Sequence, residues 1–483
     1  MFVSFLKFKE FFLSLDPRTR WSTPHGYKDV LTLCLPLVAS FFASSILMFT
    51  DRVFLSRYSL EAISAALPAG VIKFSISSIF IGTVSYTGIF VAQYIGAGKP
   101  KDASSALWQG LYLSLFFGLC QCLLFFWSED IFISAGHSGE IVKQETIYLQ
   151  VLILAAPIEL MMVTLSTYLA SLGFARVVMW VNLIGTIINI PLDYFLIFGV
   201  EFGGETLIPP LGILGAAIAT DFSWLFACVL FAIIVFRKNM EKNHSTRSSY
   251  ALNWNLLFRI VKFGYPSGLQ FFLEIFAFAF FAFAVAKLGG LVLAGNNIVF
   301  SIEAMSFVPM LGVGQAVSIL VGRAIGGQNP KDGEKATISG IVISTIYVSG
   351  MLIIFLVIPE LILLIFMPEN LEAGSIDFLL QLGKNLLKFV IFYSFFDGLY
   401  LSCFGAIKGA GDVIFPMVAM GFWAIVGLVI PILILFFLEW ANIYTMWCCM
   451  SFYVLALTAT GLQRFLSRKW MSKSVIELDK LIV

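Results

Sequence analysis

Apolar residues along the 483-residue chain collect into runs of about twenty, separated by short polar segments rich in Lys, Arg, Asn, Gly and Pro. A helix of that length, rising about 1.5 Å per residue, crosses roughly 30 Å of hydrocarbon. Twelve runs are read, at about residues 30–55, 62–92, 105–127, 146–171, 177–199, 211–236, 264–286, 292–321, 337–358, 384–404, 413–438 and 443–464. With no water to satisfy backbone N–H and C=O groups, each run is expected as a helix. The second and eighth runs are long, and carry Pro68 and Pro309 with Gly312 and Gly314. Such breakers are tolerated only where neighbouring protein or water satisfies the freed backbone.

Lys and Arg in the polar segments set the expected orientation. With a cytoplasmic N-terminus, the inner segments hold 23 of them and the outer segments six: Arg52, Arg57, Lys143, Lys287, Lys384 and Lys388. That asymmetry follows the positive-inside rule, so both termini are expected in the cytoplasm. The expected organisation is a tail at 1–29, an N-terminal lobe at 30–236, a polar linker at 237–262, a C-terminal lobe at 263–465 and a tail at 466–483.

The two lobes repeat. VAQYIGAGKPKDASSA from Val91 and VGRAIGGQNPKDGEKA from Val321 align without a gap at an offset of 230, pairing Gly96 with Gly326, Pro100 with Pro330 and Asp102 with Asp332. The same offset pairs Pro36 with Pro266. Six helices per repeat leave both copies in the same orientation, as in transporters built from parallel repeats. The fold class is therefore an all-α membrane protein of twelve transmembrane helices in two pseudo-symmetric six-helix lobes.

Composition agrees. Hydrophobic residues make up 59% and charged residues only 12%, with a mean hydropathy of +0.94; soluble domains carry about 25% charged residues. A net charge of +1 gives no electrostatic footprint for nucleic acid. All seven cysteines lie in apolar stretches and read as buried thiols, while the three histidines are scattered. The N-terminal segment shows no pattern of a cleavable signal peptide.

Ionisable groups inside a bilayer cost about 2.5–3.5 kcal/mol each on insertion scales, and persist where they face water, a partner or an ion. The runs contain Asp51, Lys73, Glu159, Asp193, Asp221, Glu274, Glu303 and Asp397. Asp51 comes late in an outward-going helix. Asn189 and Asp193 come late in another, one turn apart on one face, and Thr220 comes early in an inward-going one. These four share the outer half of the N-terminal lobe, where they could coordinate a small hard cation or share a proton. Glu274 and Asp397 lie nearer mid-membrane in the C-terminal lobe.

Lys73 is too deep for its ammonium to reach the interface, so it needs a carboxylate. Two candidates stand about level. Glu303 is its repeat equivalent at the offset of 230, giving a gate between lobes; Glu159, at similar depth in the fourth run, gives a static pair.

The motifs that hold these residues resemble the multidrug and toxic compound extrusion (MATE) family over residues 30–465, in its NorM-like branch. LCLPLVASFFASSILMFTDRVFLSR resembles the family's opening helix, with its aspartate at Asp51. NIPLDYFLIFGV and LGILGAAIAT are similar to its fifth and sixth helices, with Asn189, Asp193 and Thr220. FGYPSGLQFFLE resembles the seventh, with Glu274; FVPMLGVGQAVSILVGRAIGGQNP the eighth; and FFDGLYLSCFGAIKGAGD the tenth, with Asp397. The resemblance implies export of amphipathic, often cationic organic compounds in exchange for Na⁺ or H⁺, with both acidic sets serving the coupling ion. Phe174 departs from the acidic residue usual after the glycine of the fourth loop, whereas Gly411–Asp412 keeps the pattern.

A lipid-linked oligosaccharide flippase of the same superfamily is the alternative, but it predicts arginines deep in the runs to hold pyrophosphate, and none lies there. A membrane enzyme would need a nucleophile–base pair or clustered metal ligands, and neither is visible. No cofactor is expected beyond the coupling ion. The expected partners are small-molecule substrates and the bilayer of the cell membrane, and the expected state is a monomer. An aromatic content of 16% suits a cation-binding cavity or, more simply, a lipid-facing surface.

Overall fold

Each apolar run folds as a helix whose polar flanks extend it past the hydrocarbon. The computed structural model describes residues 20–21, 23–203, 205–367 and 373–477; residues 1–19 of the expected N-terminal tail lie outside them. The first half comprises α1 (Tyr27–Tyr58), α2 (Leu60–Ser85), α3 (Thr87–Gly96), α4 (Pro100–Cys122), α5 (Ser128–Ser134), α6 (Glu140–Leu154), α7 (Ala156–Ser171), α8 (Ala175–Phe198) and α9 (Ile213–Val235). A short helix, α10 (Lys238–His244), follows. The second half comprises α11 (Trp254–Ala286), α12 (Gly290–Gly326), α13 (Pro330–Val357), α14 (Pro359–Ile365), α15 (Ala373–Ala410), α16 (Ile414–Trp423), α17 (Ile430–Phe437) and α18 (Ile443–Leu466).

Among the described residues eleven helical segments are long and apolar enough to span a membrane, and the pair α6–α7, bent by 47°, makes the twelfth. The bend falls at Pro157, whose ring and backbone lie against Gly118 of α4. Many large apolar side chains are exposed, Leu60, Phe126, Phe283 and Phe437 among them. Lipid covers such a surface where water would not.

The second run continues through Pro68 and divides at Tyr86, between α2 and α3. The linker ends at Asn253 rather than 262, because the Asn253 side chain accepts the Leu256 N–H and starts α11 there. The loop after α8 contains a hairpin of β1 (Val200–Phe202) and β2 (Glu205–Ile208).

The repeat is visible in the backbone. Gly98 and its equivalent Gln328 both have positive φ, +69° and +57°. Lys99 donates to the Tyr94 carbonyl and Asn329 to the Ala324 carbonyl, each at 2.9 Å.

By packing, the chain divides into two units, residues 39–272 and residues 1–38 with 273–483. These boundaries differ from the expected lobes: they fall inside α1 and α11, a few residues after Pro36 and Pro266. The start of α11 packs in the first unit, where Gly268 meets Gly82 of α2; the start of α1 packs in the second, where Val38 meets Gly312 of α12. Gly82 and Gly312 are repeat equivalents, as are Val38 and Gly268. The C-terminal tail also packs in the second unit, with Trp470 buried and stacked on Phe465.

Candidate functional site

Two buried polar centres lie inside the first unit. The hairpin of α8 and α9 builds the first. Gly215 sits against the backbone of Leu196 and Ile197, where a Cβ would come 2.5 Å from the Leu196 carbonyl oxygen. This close approach brings Asn189 and Asp193 of α8 towards Thr220 of α9. The Thr220 hydroxyl donates to Asp51 Oδ2 of α1 at 3.2 Å, and the Asp51 and Asp193 carboxyls lie close enough to interact directly. Asn189 and Asp193 are wholly buried, and Asp51 and Thr220 are 5% exposed. Of the four residues grouped by depth in the sequence, Asp51, Asp193 and Thr220 interact, and Asn189 is buried one turn before Asp193 on α8.

Five side-chain atoms here have no hydrogen-bond partner among the described residues: Asp51 Oδ1, both Asp193 oxygens and both polar atoms of Asn189. Leaving a buried polar group unsatisfied costs about 1–3 kcal/mol. Two carboxylates, an amide oxygen and a hydroxyl form the hard oxygen set that a small monovalent cation or a shared proton satisfies.

The second centre surrounds Lys73, midway along α2. Its Nζ lies 2.6 Å from Glu159 Oε2 of α7 and 4.2 Å from the centre of the Trp224 ring of α9. Both charged residues are almost fully buried. Of the two carboxylates weighed for Lys73, the structure supplies Glu159, reached within one unit and backed by a cation–π contact. Glu303, the other candidate, neighbours Tyr393 in the second unit. Asp221 lies within electrostatic reach of Lys73 and Glu159. The two centres therefore meet on α9, where Thr220 serves one and Asp221 faces the other. Trp224 was missed in the sequence, although it stands one turn beyond Asp221 on the same helical face.

The second unit holds a further acidic group on α11, α12 and α15. Glu274 and Asp397 line a cavity of about 10 Å³ with Phe278, Phe307, Tyr400, Tyr453, Val454 and Leu457. That is about the room needed by one water or small ion, and far below a drug-sized ligand. Sequence reasoning grouped Glu274 with Asp397 but did not find the tyrosines. Asp412, of the Gly411–Asp412 pair, accepts Arg464 Nη2 at 2.6 Å and Nε at 2.8 Å. It anchors α18 and lies outside both acidic sites.

A duplicated sequence, eleven to twelve membrane-length apolar helices among the described residues and carboxylates buried inside them define a polytopic membrane transporter. The MatE family model matches residues 36–195 and 266–433, each stretch opening on one of the paired prolines, and the chain belongs to that family. It is 24% identical over 461 residues to the probable multidrug resistance protein NorM of Thermotoga maritima, covering 95% of this chain and 96% of that one. It is 28% identical over 393 residues to the probable NorM of Pseudomonas putida, covering 80% and 82%. In fold it is similar to a MOP superfamily transporter from Pyrococcus furiosus, with a TM-score of 0.82, 20% identity and coverage of 93% and 97%. The protein is thus a multi-pass cell-membrane transporter and not an enzyme.

Proposed function

We propose that this transporter exports amphipathic, often cationic organic compounds in exchange for Na⁺ or H⁺, by alternating access, with both termini in the cytoplasm. The observation that carries the reading is the Asp51–Asn189–Asp193–Thr220 centre, where Asp51 Oδ1 and both Asp193 oxygens are buried without a hydrogen-bond partner among the described residues. Two buried carboxylates repel unless a cation or proton joins them. Loading the centre therefore favours the closed, dry arrangement of α1, α8 and α9, and emptying it favours a more hydrated one. A cargo that binds only one of these arrangements is then moved against its gradient by the ion. The Glu274–Asp397 cavity, with room for an ion and not for cargo, supports a second coupling position. The relatives' names as multidrug resistance proteins support the cargo class, and the Lys and Arg asymmetry supports the orientation.

Ethidium accumulation in everted vesicles tests the proposal. An imposed Na⁺ or proton gradient should drive uptake severalfold above the ungradiented level. A protonophore should abolish it if protons couple and spare it if Na⁺ does. Uptake indifferent to both gradients would overturn ion-coupled export.

A further inference from the structure

The segment following α10 is laced onto α4 by four side chains on one helical stripe. Ser104 donates to the His244 carbonyl at 2.7 Å, Trp108 Nε1 to Thr246 at 2.7 Å and Gln109 to Ala251 at 3.1 Å; Tyr112 donates to the Tyr250 carbonyl. Beneath this strap lies an open cavity of about 510 Å³, lined by Trp108, Tyr112, Phe236, Arg247 and Tyr250. The strap uses the polar atoms of Trp108 and Tyr112, so their rings present aromatic faces; the Trp108 and Phe236 centroids are 5.3 Å apart.

Arg247 is the charged residue of the lining. Its Nε donates to the Phe236 carbonyl at 2.6 Å, leaving its exposed Nη groups for another acceptor. The nearby Glu241 carboxylate accepts the Arg247 N–H and the Ser248 hydroxyl and also lies within electrostatic reach of the Arg247 charge, neutralising part of it. The cavity stands where α9 ends and α4 begins, beside the exposed rings of Tyr250, Trp254 and Phe258. Trp and Tyr mark the depth of lipid headgroups. Arg237, Lys238, Lys242, Arg259 and Lys262 add positive charge on the same stretch.

We propose that this cavity binds one anionic phospholipid, its phosphate on the Arg247 guanidinium and its glycerol and upper acyl chains against Trp108, Tyr112 and Phe236. A guanidinium pairs with phosphate through two parallel hydrogen bonds, juxtamembrane basic residues draw anionic lipids, and the aromatic wall suits the apolar remainder. A water-soluble anion would gain nothing from that wall. The site rests on the membrane reading alone and is independent of the cargo.

Native mass spectrometry of the full chain, released from micelles holding equal phosphatidylglycerol and phosphatidylcholine, tests the site. The wild type should retain one phosphatidylglycerol severalfold over phosphatidylcholine. Arg247→Gln should bring that ratio near one, Arg247→Lys should keep part of it, and Lys331→Gln, the same charge change in the other packing unit, should leave it intact. An unchanged ratio in Arg247→Gln, or an equal fall in Lys331→Gln, overturns a specific site. Displacement by millimolar inorganic phosphate would identify a free-anion site instead. Should Arg247→Gln fail to fold, brominated phosphatidylglycerol provides a second readout. It should quench the wild type more than Trp108→Phe, and equal quenching overturns the proposal.

Discussion

Thr220 donates its hydroxyl to Asp51 at 3.2 Å, tying α9 to α1 at the depth where Asn189 and Asp193 enter from α8. A hydrogen bond to a charged acceptor contributes about 1.5–3 kcal/mol. Thr220→Val should therefore weaken apparent coupling-ion affinity about tenfold or more while efflux persists at saturating gradient. Asp51→Asn and Asp193→Asn should each abolish gradient-driven ethidium efflux in protein that still inserts and folds. Near-normal efflux in either carboxylate variant would remove this centre from the coupling mechanism.

Lys73 and Glu159 form a buried pair, so removing one partner strands the other charge, at a typical cost of about 3–5 kcal/mol. Lys73→Glu should lower the thermal midpoint in detergent by several degrees and depress transport. Adding Glu159→Lys should recover much of both losses, whereas adding Glu303→Lys should recover neither. The opposite pattern, with rescue from Glu303→Lys alone, would restore the gate between repeats.

Glu274 and Asp397 share a cavity no larger than an ion or a water. Asp397→Asn should raise the Na⁺ concentration needed for half-maximal efflux severalfold, with equilibrium binding of ethidium less affected. Binding of Na⁺ to the wild type, followed calorimetrically at millimolar concentration, provides the reference. Absence of that binding would leave protons as the coupling ion.

Gly268 meets α2 so closely that a Cβ would lie 2.0 Å from the Ile79 carbonyl oxygen, and Gly82 faces it with 2.6 Å to the Gly268 Cα. Backbone gives way poorly, so Gly268→Val should abolish stable expression and Gly82→Ala should cost several degrees of thermal stability. Gly70, with nothing within 4 Å of its would-be Cβ, should accept alanine without loss. Equal tolerance at all three positions would contradict the close crossing.

Much of this was legible in the chain because lipid imposes strict rules. Run length and the gapless offset of 230 follow directly from crossing a bilayer many times with one duplicated unit. Helical depth placed Asp51, Asp193 and Thr220 at one level, where the structure has them interacting. Other features needed three dimensions. Repeat symmetry nominated Glu303 for Lys73 as strongly as depth nominated Glu159, and only packing of α2 against α7 and α9 separates them. Tyr400 stands one turn beyond Asp397 on α15, a spacing that could have found it, whereas Tyr453 enters the acidic cavity from α18, whose sequence looks like any other apolar run. The linker read only as polar because its anchors, Ser104, Trp108, Gln109 and Tyr112, lie on α4, more than a hundred residues earlier.

The pairing of Gly82 with Gly268 and of Val38 with Gly312 has an evolutionary reading. Each repeat lends the first turns of its opening helix to the packing unit built by the other, the reciprocal exchange of a domain-swapped dimer joined into one polypeptide. An ancestral single-repeat chain would have needed a second copy to cover those glycine faces. Fusion made the partner permanent, and thereafter each copy could diverge. The two copies now differ at equivalent buried positions, with Lys73 in one and Glu303 in the other.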